Sequence, residues 1–86
     1  MMTDLVGGNV FVRTVTYFYT GRLVSVYDGW LHLAEAAWIP DTGRFHKALA
    51  TGQLTEVEPY PGDCYVAMGA VVDMSAWDHE LPRSVK

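Results

Sequence analysis

The sequence has little that would support export, membrane insertion or covalent cross-linking. Cys64 is the only cysteine, so no disulfide can form within the chain, and this favours a reducing compartment. The start "MMTDLVGG" lacks the basic and apolar regions of a signal peptide, and no apolar run approaches the roughly 18 residues of a membrane span. We therefore expect a cytoplasmic protein without a membrane partner.

Charge is also scarce. Charged residues make up 19% of the 86 residues, and six basic residues stand against ten acidic ones, for a formal net charge of -4. The basic residues do not cluster in the sequence, which argues against the capture of duplex DNA or an anionic membrane. Half of the residues are hydrophobic, and a domain of this size buries only about 60–65% of its unfolded surface. We expect one domain over residues 1–86 that self-associates.

The residues that are present indicate strands through a core of about residues 9–74. The run "NVFVRTVTYFYT" (9–20) is rich in β-branched and aromatic residues, and it predicts one long bent strand or two strands that meet at a bend. Gly21 is expected to break this run. Residues 22–27 and 30–36 predict a hairpin, because Asp28-Gly29 between them is a favoured tight-turn dipeptide.

A single short helix is expected after this hairpin. It covers about residues 42–51, because Asp41 or Thr42 can cap its start and Gly52 can close its end. Residues 56–63 contain two prolines and a glycine, and this composition predicts a loop.

The last third of the chain predicts two short strands over residues 64–74, kinked at Gly69. A barrel must turn sharply at this kink, so a side chain at Gly69 is expected to strain the backbone. Trp77 is expected to dock, and residues 78–86 are expected to form a loose tail. The predicted fold class is mostly β: a small, strongly bent five-stranded antiparallel barrel with one short inserted helix.

Residues with catalytic or metal-binding potential occur without the partners that such chemistry needs. Cys64 begins an apolar strand and is interpreted as a small packed residue. Asp78, His79 and Glu80 are adjacent, so in an extended tail they point to different sides, and they are interpreted as solvated. The sequence therefore predicts no enzyme, no metal site and no cofactor.

Two segments resemble the motifs of the Sm/LSm-like proteins. The residues Gly21-Arg22-Leu23, Val26, Asp28, Leu31-x-Leu33 and Ala36 are similar to the first motif, and "VAMGAVV" (66–72) is similar to the second. The segments "AAWIPDTGRF" and "EVEPYPG" also resemble small bacterial and phage-associated proteins with an Sm-like fold. The resemblance implies a homo-oligomeric ring joined through edge strands, in which the turns after the second and fourth strands face a central pore.

The resemblance also implies an RNA site, in which several family residues are replaced. Met68 stands before Gly69, where the second motif usually has an RNA-contacting arginine, and Asp28 lies seven rather than six residues after the first-motif glycine. The base-contacting asparagine of the first motif is missing, and its place falls on His32 or on Trp30, depending on the alignment. Either ring can stack on an unpaired base. The candidate nucleic-acid-binding residues are Arg22, Asp28, Trp30, His32, Met68 and Gly69.

These observations lead to two functional hypotheses. The first is a non-enzymatic Sm-like ring that binds short single-stranded RNA, but not duplex DNA, as a chaperone-like or regulatory factor. The alternative is a structural or protein-interaction β-barrel oligomer that binds no nucleic acid. The missing arginine and asparagine and the acidic net charge favour the alternative, whereas the retained Arg22, Trp30 and His32 favour the first.

Overall fold

A computed structural model describes residues 2–86 and contains one antiparallel sheet and one short α-helix. The strands are β1 (Asn9–Thr14), β2 (Phe18–Tyr27), β3 (Trp30–Asp41), β4 (Glu56–Pro59), β5 (Cys64–Ala67) and β6 (Val71–Ala76). The helix α1 spans Phe45–Thr51, and 3-10 turns cover Met2–Leu5 and Met68–Ala70. The order of the sheet is β4-β3-β2-β1-β6, and β5 also pairs with β3. The predicted mostly β class is confirmed.

The sheet differs from the predicted barrel in the number of strands and in closure. It has six strands rather than five, and no strand pair closes it into a barrel within residues 2–86. The extra strand, β4, comes from residues 56–63, which were expected to form a loop. Its Pro59 is tolerated because β4 lies at a sheet edge, where a missing N–H breaks no essential ladder bond, and its Val57 is buried in the core.

A bulge at Glu35 bends β3 and gives it two partners. Glu35 has a φ of 52°, and the ladder to β2 shifts so that β3 holds an extra residue opposite Gly21. The part of β3 before the bulge pairs with β5, and the part after it pairs with β4. Gly21 does not break the strand as expected but lies inside β2. A Cβ at this position would lie only 3.1 Å from the Cβ of Leu33, so the close approach of the two strands favours glycine.

Both faces of β1 are buried, because the core consists of two hydrophobic clusters. On one face, the first cluster joins β1, β2, β3 and β5 through Val10, Val12, Leu23, Leu31, Leu33, Ala36, Cys64 and Val66. On the other face, the second cluster brings α1 and the C-terminal segment against the sheet through Phe11, Ala37, Ile39, Ala48, Leu54, Val57 and Trp77. The ring of Phe11 lies 5.4 Å from that of Trp77, centroid to centroid, so the predicted docking of Trp77 is confirmed.

The helix is shorter at its start than expected. Thr42 and Gly43 lie in a turn in which the Gly43 N–H donates to Asp41 Oδ1 at 2.8 Å, so α1 begins only at Phe45. Its end follows the prediction, since Gly52 has a φ of 80° and its N–H donates to the Ala48 carbonyl. No helix in the described part of the chain has the length and hydrophobicity of a membrane span.

Two expectations about the last third of the chain are corrected. The kink between β5 and β6 lies at Gly69, but a Cβ there would meet no atom within 4 Å, and the residue has no left-handed φ. A side chain at Gly69 therefore meets no steric obstacle. The tail is also not loose, because Arg83 donates to the carbonyls of Ala36 and Tyr60.

The end of the tail is held in the same way. Lys86 exchanges two backbone hydrogen bonds of 2.9 Å with Val57, which adds a further pairing to β4. Trp77 Nε1–H donates to the Glu80 carbonyl, and His79 Nε2 lies 2.8 Å from the Leu49 carbonyl oxygen. Asp78, His79 and Glu80 therefore belong to a segment that packs along the second cluster.

Candidate nucleic-acid interface

The turn between β2 and β3 meets the 3-10 turn that follows β5. Asp28 and Gly29 both have positive φ values, of 51° and 82°, which is the geometry of a type I′ hairpin turn and agrees with the predicted tight turn. The N–H of Met68 donates to the Gly29 carbonyl at 2.9 Å. This hydrogen bond joins two turns that are distant in the chain. Asp28 lies in the first turn and Met68, 40 residues later, lies in the second.

Four rings lie on the adjoining strands and form what we call the aromatic surface: Tyr27, Trp30, His32 and Tyr65. The relative exposure is 78% for Tyr27, 48% for Trp30 and 59% for Tyr65. Trp30 follows the tight turn directly and is paired with Tyr27 across it. Large apolar rings are rarely left in water in a group, so this surface is a candidate for binding.

His32 is held in a defined orientation at the inner side of this surface. It pairs with Tyr65 across the β3–β5 ladder, and the two rings stack with centroids 4.5 Å apart and planes inclined by 20°. Its Nε2 lies 2.6 Å from Oδ2 of Asp63, in the loop before β5. The two contacts restrict rotation of the imidazole and leave a flat, rigid stack of two rings.

The aromatic surface surrounds a cleft of about 360 Å³. The cleft is lined by Ser25, Tyr27, Asp28, Trp30, His32 and Tyr65. No lysine or arginine is among these residues, and Asp28 and the nearby Asp63 are acidic. The cleft therefore offers ring faces and hydrogen-bonding groups to a ligand but little attraction for phosphate.

The predicted site residues are only partly brought together. Asp28, Trp30 and His32 line the cleft. Met68 contributes its backbone N–H to the meeting of the turns, and its side chain packs against the first cluster. Gly69 lies next to Met68 but does not line the cleft.

Arg22 lies apart from the cleft. Its Nε donates to Oε1 of Glu35 at 3.1 Å, beside the bulge of β3, and it does not line the cleft. Sequence reasoning missed Tyr27, Tyr65 and Asp63. The alternation of β5 could have identified Tyr65, since Cys64 and Val66 on either side of it are buried and Tyr65 must point outward.

Cys64 lies behind this site in the core. It is a free, buried cysteine, and burial raises the pKa of its thiol. Burial, with contributions from Cys64 and Tyr19, raises the pKa of the neighbouring Tyr60 to about 12. Cys64 is only 6% exposed and belongs to the first cluster, so its interpretation as a packed residue is confirmed. Within residues 2–86, no three His, Cys, Asp or Glu side chains group in a way that could hold a metal ion.

Comparison with known proteins found no family model that matches the chain and no curated protein with significant sequence similarity. The resemblance to Sm/LSm-like proteins stays a prediction, and the residues that carry it lie in β2, β3 and the segment from β5 to β6.

Proposed function

We propose that this protein is a non-enzymatic, Sm-like subunit that binds short single-stranded RNA through the aromatic surface. The observation that carries the proposal is the group of exposed rings around one cleft, in which Trp30 precedes His32 by two residues on β3 and Tyr65 of β5 stacks on His32. Unpaired bases stack on such rings, and each stacked base contributes about 1–3 kcal/mol to binding. A chaperone-like or regulatory role in a reducing cytoplasm suits such a subunit, since its one cysteine is a free thiol.

The electrostatics of the cleft limit the kind of nucleic acid that it can bind. Asp28 lines it, Asp63 lies beside it and the chain has a net charge of -4, so few phosphates can be neutralised. Each neutralised phosphate of a single strand contributes only about 0.7 to the salt slope, so we expect a shallow slope. Duplex DNA hides its base faces and should not bind.

Fluorescence anisotropy with labelled uridine and adenine oligomers, at low and moderate salt, tests the proposal. Trp30→Ala and Tyr65→Ala should each weaken binding by about 1–3 kcal/mol. Tyr17→Ala is the matched control, because Tyr17 is also half-exposed but packs on Trp38 outside the cleft. Absence of binding below about 100 μM at low salt, where electrostatic attraction is strongest, would exclude RNA as the ligand.

The second candidate is a structural or protein-interaction oligomer without nucleic-acid binding. The acidic groups Asp28 and Asp63 next to the exposed rings favour it, since a protein partner needs no phosphate contacts and aromatic residues are enriched at protein interfaces. The two candidates differ in the anisotropy experiment. If the second candidate is correct, RNA binds neither the wild type nor the Trp30→Ala variant, and the substitution weakens self-association or partner binding.

A further inference from the structure

Three of the six basic side chains are already engaged. Arg13 forms an ion pair with Asp73. Arg22 forms one with Glu35. Arg83 donates to two backbone carbonyls in the tail contact described above. These three arginines therefore act within the fold.

The other three basic residues, Arg44, Lys47 and Lys86, line a single cleft of about 420 Å³. Within residues 2–86, none of them is paired with a carboxylate or donates to a carbonyl through its side chain. They come from three separate segments: the turn before α1, α1 itself and the C-terminal segment. In a chain with a net charge of -4, all the unpaired cationic side chains thus converge on one place.

The backbone holds these segments in position. Lys86 is fixed by its two backbone hydrogen bonds to Val57 in β4. The turn before Arg44 is fixed by the bond from the Gly43 N–H to Asp41 Oδ1, and by the Thr55 N–H, which donates to the Asp41 carbonyl at 3.2 Å. The cationic side chains are exposed, and backbone hydrogen bonds hold the segments that carry Arg44 and Lys86.

Polar groups complete the lining of the cleft. Thr42, Gln53 and Thr55 contribute two hydroxyls and an amide. The nearest acidic residues in the sequence are Asp41 and Glu56, which are opposite each other in the β3–β4 ladder, and neither lines the cleft. Three basic residues therefore line one space, and no aspartate or glutamate is among the lining residues.

This arrangement fits a multivalent anion. Three neighbouring cations repel one another, and an anion that contacts all of them removes this repulsion. A guanidinium binds two phosphate oxygens at once, and an ammonium acts as a point charge. The Thr55 hydroxyl can donate to a further oxygen, whereas that of Thr42 already donates to the Gly43 carbonyl at 2.8 Å. A volume of about 420 Å³ exceeds that of a single halide or water and lies in the range of small-molecule sites.

We propose that this cleft binds the diphosphate group of a small molecule, such as pyrophosphate or a nucleoside diphosphate. The site is separate from the aromatic surface, because Trp30 is the first residue of β3 and Asp41, beside the cleft, is the last. Binding of diphosphate and binding of RNA bases can therefore be tested, and can fail, independently.

Titration of the labelled protein with pyrophosphate at low salt, followed by NMR of the backbone amides, tests this. We expect saturable shifts of the amides of Gly43, Lys47 and Thr55 with a one-to-one stoichiometry. Arg44→Gln and Lys47→Gln should each weaken binding about 3- to 10-fold, as loss of one partly solvated charge-assisted contact predicts. Arg22→Gln makes the same change of net charge away from the cleft and should leave the affinity unchanged.

The same titration with adenosine diphosphate in place of pyrophosphate identifies the chemical group that the cleft recognises. The same shifts at Gly43 and Thr55 would support the diphosphate as the bound part. The proposal is overturned if pyrophosphate gives no saturable shift up to about 10 mM, a concentration that would detect even a weak site. It is also overturned if Arg22→Gln weakens binding as much as Lys47→Gln, or if the shifts occur at Trp30 and Tyr65. Circular dichroism of each variant verifies that it is folded.

Discussion

Tyr60, Cys64 and Tyr19 form a small group of ionisable side chains at the margin of the first cluster. Burial raises the pKa of all three, and that of Tyr60 to about 12 from a usual value of 10.0. A raised pKa in the folded state means that the unfolded chain loses these protons first as the pH rises. Their contribution to stability is therefore complete below about pH 9 and is lost progressively between there and about pH 12.

Tyr60→Phe removes the group with the largest shift. We expect the free energy of unfolding of the variant to decline less between pH 9 and pH 11 than that of the wild type, as measured by urea denaturation at a series of pH values. Effects of net charge are common to both proteins and cancel in the comparison. If the two declines are equal, the Tyr60 hydroxyl is not desolvated in the folded state.

The β2–β3 pair depends on the close approach at Gly21. A Cβ there would lie 3.1 Å from the Leu33 Cβ and 3.2 Å from the Ala34 carbonyl oxygen. Both neighbours are buried, so neither can move freely, and Gly21→Ala should cost about 1–3 kcal/mol of stability. Gly62→Ala is the matched control, because its Cβ would meet nothing within 4 Å, and it should stay within about 0.5 kcal/mol. Equal effects in thermal denaturation would contradict this account of the bulge.

At the scale of the whole molecule, the sheet has an edge that no strand in the described part of the chain covers. β6 pairs with β1 on one side and has no strand on its other side within residues 2–86, while Val72 in it is 53% exposed. Unpaired edges and a high apolar content favour association into a closed ring, and the Sm-like resemblance predicts about five to seven copies. Native mass spectrometry should detect this oligomer.

A charge on the edge tests the same idea. Val72→Lys should shift the protein towards the monomer, because charged side chains on an edge strand oppose pairing with a second strand. Val15→Lys adds the same charge at an exposed position in the loop after β1, and it should leave the oligomer intact. A wild-type protein that is monomeric at tens of micromolar would contradict the ring and its pore.

Sequence reasoning succeeded where a feature depends on a few neighbouring residues. The turn at Asp28-Gly29 and the end of α1 at Gly52 follow from the backbone freedom of those residues. The buried state of Cys64 follows from its place in an apolar strand. Asp28, Trp30 and His32, which the Sm-like resemblance placed in one site, follow one another around the turn and line one cleft.

The remaining features depend on which distant segments meet. Composition predicted a loop where β4 forms. The strand forms because the part of β3 beyond the Glu35 bulge supplies a pairing partner, and this pairing overrides the local preference of Pro59. Arg22 was expected in the RNA site, but its side chain donates to Glu35 and does not line the cleft. Along the chain, Lys86 lies far from Arg44 and Lys47, and no local pattern relates them.

The sequence by itself determined the class of the fold, its tight turn and its one helix, because β-propensity, glycine conformation and helix termination act over a few residues. The tertiary structure alone decided that β3 would have two partners, that the tail would be held against β4 and that three unpaired cations would share one cleft. These outcomes depend on long-range pairing, and its free energy comes from burying two hydrophobic clusters at once rather than from the preferences of any single segment.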